Sequence, residues 1–134
     1  MLQPIIENSY LVEVNLGTPS QGKRINFQYI PQLEGATIYA IQTFSADDLT
    51  KSPNNVAVVS TTGLAGCTVT FCVGDDEKLY IVPLSDLRSQ NISGFQRMFN
   101  NMKINLTKSY ITIQDATSIV ALDSVLFQFI YRNK

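Results

Sequence analysis

Apolar and polar positions alternate at period two along most of this chain. Tyr10–Leu16 (YLVEVNL) sends Tyr10, Val12, Val14 and Leu16 to one side and Glu13 and Asn15 to the other, the signature of a strand with one buried face. Arg24–Ile30 (RINFQYI) repeats it, with Ile25, Phe27 and Tyr29 facing Arg24, Asn26 and Gln28, and predicts a second half-buried strand. Between them GTPSQGK carries Gly17, Pro19 and Gly22, which is turn chemistry. Pro31 and Gly35 bracket a further turn. Thr37–Phe44 (TIYAIQTF) is apolar on both faces, so an interior strand is expected. Val56–Ser60 (VAVVS) reads as short and buried. After Gly63 and Gly66, Cys67–Val73 (CTVTFCV), the turn GDDEK and Leu79–Leu84 (LYIVPL) form a hairpin pattern. Pro83 closes its second strand or marks a sheet edge.

Three stretches interrupt the alternation. Ser45–Pro53 (SADDLTKSP) has the Ser45…Asp48 spacing of a helix N-terminus, with Asp47 and Asp48 favouring the helix dipole. Pro53 limits it to one turn. Ser85–Met102 has loop composition, with Leu87, Phe95, Met98 and Phe99 at loosely helical spacing. Ala116–Asp123 is a connection. Lys103–Thr107 and Tyr110–Gln114 are two β-stretches joined through a bulge at Lys108–Ser109. The chain closes on Ser124–Lys134, where Phe127, Phe129 and Tyr131 occupy one face and Leu126, Gln128 and Ile130 the other. A run apolar on nearly both sides is expected inside a sheet. The sum is all-β: a β-sandwich or jelly roll of about eight antiparallel strands without a substantial helix.

Length and composition bound the rest. The 134 residues suit one domain, 1–134, with 1–9 as a short N-terminal arm, and suffice for a core without staples. A net charge of −1 and a pI near 5.2 argue against a general nucleic-acid binder, which needs a basic face. From Asp86 onward six Lys/Arg stand against three acids, a mild excess that fits a solvated surface. There is no histidine. That removes Ser–His–Asp and Cys–His catalysis and histidine-ligated zinc or iron from this chain, and shifts the expectation from an enzyme towards binding or architecture. Neither a signal peptide nor an apolar run near 18 residues is visible, so no membrane span is expected.

Each candidate site has a plainer structural reading. Cys67 and Cys72 are five residues apart. In a strand they point to opposite faces and cannot bond to each other, so both are read as reduced, small hydrophobic residues. Asp75, Asp76 and Glu77 could contribute to a Ca²⁺ site, but calcium asks for six or more oxygens, and a solvated turn accounts for them. Asn91-Ile-Ser93 and Asn105-Leu-Thr107 match the N-glycosylation pattern; with no secretory signal expected, both are read as chance matches. The six tyrosines, Tyr10, Tyr29, Tyr39, Tyr80, Tyr110 and Tyr131, alternate with core residues and read as framework. A sugar platform would need aromatic rings on a solvated face instead.

Several segments together carry a family likeness: SADDLTKSPNNVAVVS, CTVTFCVGDDEKLYIVPLSDLR with its IPL-like ending (Ile81–Leu84, Val82 inserted), LTKSYITIQ and the closing SVLFQFIYR. Across Tyr39–Arg132 the chain resembles the single jelly-roll capsid proteins of tailless icosahedral phages with an internal membrane, whose vertices carry pentameric penton proteins. The resemblance implies a structural virion protein made in the host cytoplasm, assembled as a homopentamer beside neighbouring capsid proteins and near, but not across, the viral membrane. It implies no cofactor, no metal and no catalytic residue. Met1–Ser9 and the Ser85–Asn101 loop are the candidate subunit contacts; Phe95, Met98 and Phe99 offer apolar surface there, and covering their own core is the plainer use of it. The alternative is a β-sandwich carbohydrate- or ligand-binding module of a phage or bacterial surface protein.

Overall fold

The computed structural model describes residues 8–48, 57–74, 78–88 and 102–132. Seven strands lie among them: β1 (Asn8–Asn15), β2 (Arg24–Asn26), β3 (Thr37–Phe44), β4 (Cys67–Val73), β5 (Lys78–Pro83), β6 (Met102–Ile113) and β7 (Ser124–Arg132). One short helix, α1 (Thr61–Ala65), precedes β4. The strands are hydrogen-bonded in the order β1-β7-β3-β6-β4-β5, with β2 also on β6, and every ladder is antiparallel. The all-β expectation therefore holds.

β7 occupies the position that its two-sided pattern predicts. It lies between β1 and β3, pairing Phe127 with Val12 on one side and Thr43 on the other. Its β-branched and aromatic residues suit a pleated surface, and Val125, Leu126, Phe127 and Phe129 are all buried.

β6 is the strand that makes two layers out of one path. Its first residues, Met102 and Lys103, pair with β3, whereas Tyr110–Thr112 pair with β2. Along β4, Thr70 faces Tyr110 and Cys72 faces Asn105, so Phe71 alone stands opposite Leu106–Ser109. Such a bulge bends a strand and increases its twist. Ser109, fully buried, fixes the bend: its hydroxyl donates to Asn105 O at 2.8 Å and accepts from Cys72 N at 3.0 Å. The two stretches read from the sequence, and the bulge between them, are therefore one bent strand.

The layers formed on either side of that bend face each other across an aromatic core. Phe127 and Phe129 of β7 meet Phe27 and Phe71, with ring centroids 5.1–6.5 Å apart. Val12, Val14, Leu16, Ile38, Ile41, Val69, Ile111 and Ile113 extend it. Edge-to-face and offset rings add a modest increment to their area burial.

Other expectations need correction. The strand predicted over Arg24–Ile30 stops at Asn26. Phe27 remains in the core, but the chain then leaves the sheet for a 3-10 turn at Pro31–Leu33, and Tyr29 is 57% exposed. Proline cannot donate to a ladder, so alternation past Phe27 has no partner to enforce it. Tyr39 and Tyr80 are also exposed, whereas Tyr131 is buried and Tyr10 packs on the core. The framework reading thus fails for three of six tyrosines. Thr61–Ala65 is helical because Ser60 caps it, accepting from Gly63 N at 3.1 Å. A side chain at residue 63 would strike Val59 Cγ2 and Ser118 O, at 2.7 and 2.9 Å from a Cβ, so the close approach of these neighbours requires glycine there.

Candidate functional site

Two features of this scaffold stand outside ordinary packing. The first is the β5 edge. Among the described residues β5 pairs with β4 alone and ends the strand path. Gly74, at φ 75°, opens the connection into it. Val82 faces the core, while Leu79 and Ile81 are 59% and 70% exposed and lie opposite Cys72 and Thr70 of β4. An open edge offers backbone donors and acceptors to another chain, and apolar side chains beside it strengthen that tendency. Pro83 sits at the last position of this edge strand, consistent with the sequence.

The second is a groove. Along β6 the ladder to β3 ends at Lys103 and the ladder to β2 begins at Tyr110. The chain from Phe27 to Ala36 crosses this interval and leaves a space of about 360 Å³, walled by Tyr29, Leu33 and Glu34 on one side and Lys103, Asn105 and Thr107 on the other. The Tyr29 hydroxyl donates to the Glu34 carboxylate, and this hydrogen bond raises the phenol's pKa above its usual value. Thr107 Oγ1 donates to Asn105 Oδ1 at 2.7 Å. Leu33, Ile104 and Leu106, all buried, lie beneath these polar groups. The signal that could have found Tyr29 is Pro31, which ends any ladder two residues later.

A third cluster is structural. Asp48, at the end of the 3-10 turn Ala46–Asp48, accepts from Arg88 Nη2 at 2.7 Å and Nε at 3.1 Å, and from Ser45 N at 2.9 Å. The Arg88 hydrogen bonds hold its carboxyl below the usual aspartate range. Asp47 accepts from Thr61 Oγ1 at 2.6 Å. As expected, both aspartates stand in the first turn of a one-turn helix, and Asp48 reaches back to Ser45 N as the capping-box spacing requires. Beyond that role they tie the turn after β3 to α1 and to the segment after β5.

Cys67 and Cys72 are both free and buried. Cys67 belongs to the core, donates to Gly63 O at 3.6 Å, and has its thiol pushed up to about 11 by burial. Phe95, Met98 and Phe99, the candidate contacts, lie outside the described residues, as do the Asp75-Asp76-Glu77 turn and 1–7 of the N-terminal arm. Among the described residues no helix is long and apolar enough to cross a membrane.

Comparison with protein-family models, with curated proteins and with solved structures gives no match to this chain.

Proposed function

We propose that this chain is a non-enzymatic shell subunit with a jelly-roll fold, assembling through its open edges into a closed ring, a pentamer at a capsid vertex. The fold part rests on nested pairing. Rolling up a long antiparallel hairpin of eight strands pairs first with last, second with seventh, third with sixth and fourth with fifth. Counting the two arms of β6 separately, the ladders β1–β7, β2–β6, β3–β6 and β4–β5 follow that nesting. The observation that carries assembly is the β5 edge with Leu79 and Ile81 displayed on it. A low charge density, 16% of residues, lowers the desolvation cost of packing copies together. Identical subunits closing around an axis reuse one head-to-tail contact, and an edge strand meeting a different surface on its neighbour suits that geometry. The proposed setting is the virion, beside other capsid proteins.

Native mass spectrometry of the concentrated protein tests this. A closed ring gives a single multiple of 14.9 kDa, five in a vertex ring, that falls to the monomer in Ile81→Lys. A monomer at every concentration overturns assembly and favours a monomeric binding module.

A further inference from the structure

The groove between Tyr29 and the bend of β6 holds chemistry that neither the core nor the β5 edge uses. We propose that it is a binding site for a short, neutral oligosaccharide, with Tyr29 as the stacking platform and Glu34, Lys103, Asn105 and Thr107 as the polar contacts.

The platform comes first. An exposed tyrosine presents an apolar ring and a polar tip, and most such side chains are free to swing. Tyr29 is tethered through its hydroxyl to Glu34, five residues on and across the Pro31–Leu33 turn. The ring therefore stands at the groove rim with part of its conformational entropy already lost, which lowers the cost of binding. The apolar CH face of a pyranose is a suitable partner for such a ring.

The polar wall fits the hydroxyls of the same ligand. Asn105 supplies an amide with donors and an acceptor, Thr107 a hydroxyl, Glu34 carboxylate oxygens, and Lys103 a cation. Glu34 and Lys103 cancel in charge, so a phosphate or a polyanion has no net attraction here. A lone carboxylate is too few oxygens for a hard cation. Leu33, Ile104 and Leu106 supply an apolar floor. A volume of about 360 Å³ lies within the range of small-molecule sites.

An added peptide strand fits less well. The β6 backbone in this interval is bulged, and Asn105 O is already occupied by the Ser109 hydroxyl. A regular ladder needs evenly placed donors and acceptors, and this edge does not offer them.

The site does not depend on assembly, because no β5 residue lines it. The test is an amide NMR titration of the full chain with cellohexaose, maltohexaose, chitohexaose and a mannohexaose at millimolar concentration. At least one sugar should give saturable shifts at Tyr29, Glu34 and Lys103–Thr107. Tyr29→Ala should weaken that binding by at least about tenfold, with Tyr29→Phe, which keeps the ring but loses the tether to Glu34, between Tyr29→Ala and wild type, and Tyr80→Ala, an exposed tyrosine on β5, unchanged. Should Tyr29→Ala lose its dispersed spectrum, Asn105→Ala carries the same expectation. Absence of shifts with all four sugars overturns the site, and so does wild-type affinity in Tyr29→Ala.

Discussion

Asp48 and Arg88, forty residues apart, form a two-pronged ion pair at 2.7 and 3.1 Å, and the Asp48 side chain is only 1% exposed. Planar guanidinium matches carboxylate in this arrangement. The pair joins the end of β3 to the segment leaving β5, where Arg88 also bridges Thr43. Removing one partner of a buried pair leaves an uncompensated charge. Asp48→Asn should therefore cost about 3 kcal/mol, at the low end of the buried range because the Arg88 side chain reaches solvent, measured by urea denaturation.

The same pair sets a pH dependence. Asp48 has a folded-state pKa below the ordinary 3.8, so its contribution is complete above that value and disappears as pH falls through the depressed one. Wild-type Tm should drop more steeply than that of Asp48→Asn as pH is lowered from 4 towards 2. Equal slopes would show that the pair does not couple to folding.

Phe127 and Phe129 stand at the centre of the facing layers, and neither is accessible to solvent. Replacing either with Ala removes a ring from the aromatic stack, at a cost of about 3–5 kcal/mol. A loss under about 1 kcal/mol at both, by equilibrium unfolding, would be incompatible with a central β7.

Leu122 has φ 70° and a side chain 65% exposed. It pays for a left-handed backbone and recovers little by burial. Its carbonyl accepts from Asn15 Nδ2 and its N–H donates to Gly17 O, which holds the conformation in place. Leu122→Gly should raise stability by about 1 kcal/mol. A destabilised variant would mean that the leucine side chain makes a contact of its own.

The two cysteines should be silent to alkylation in the folded protein and both labelled after denaturation without reductant. Burial covers both, and for Cys67 it also keeps the thiol protonated at neutral pH. Intact mass before and after unfolding gives the count directly.

Legibility from sequence followed the range of the forces involved. β7 was readable because burial on both faces leaves a mark on every residue of the run. The β6 bend was readable because Lys108 and Ser109 interrupt two apolar rhythms. Three tyrosines were not, since alternation assigns a face only while a regular ladder persists on both sides: the ladder at β2 ends before Tyr29, Tyr39 sits at the register shift of β3, and Tyr80 lies on the edge strand β5. Nothing local links Asp48 to Arg88, and two glycines obscured the Ser60 cap of α1. The groove joins residues from 29 to 107, and no periodicity spans that distance. The candidate contacts Phe95, Met98 and Phe99 fall outside the described residues.

The nested ladders also set a timetable. β1 is among the first described segments to leave the ribosome, yet its hydrogen-bonded neighbour is β7, the last. β3 waits for the same strand. Until Arg132 has emerged, the layer containing both has no centre, and the apolar faces of β1 and β3 must remain uncovered or be shielded by chaperones. Pairings this distant in sequence also close slowly. This layer is therefore expected to close only once β7 is free of the ribosome, and a chain cut even a few residues before the end of β7 would have β1 and β3 ready to pair with another molecule.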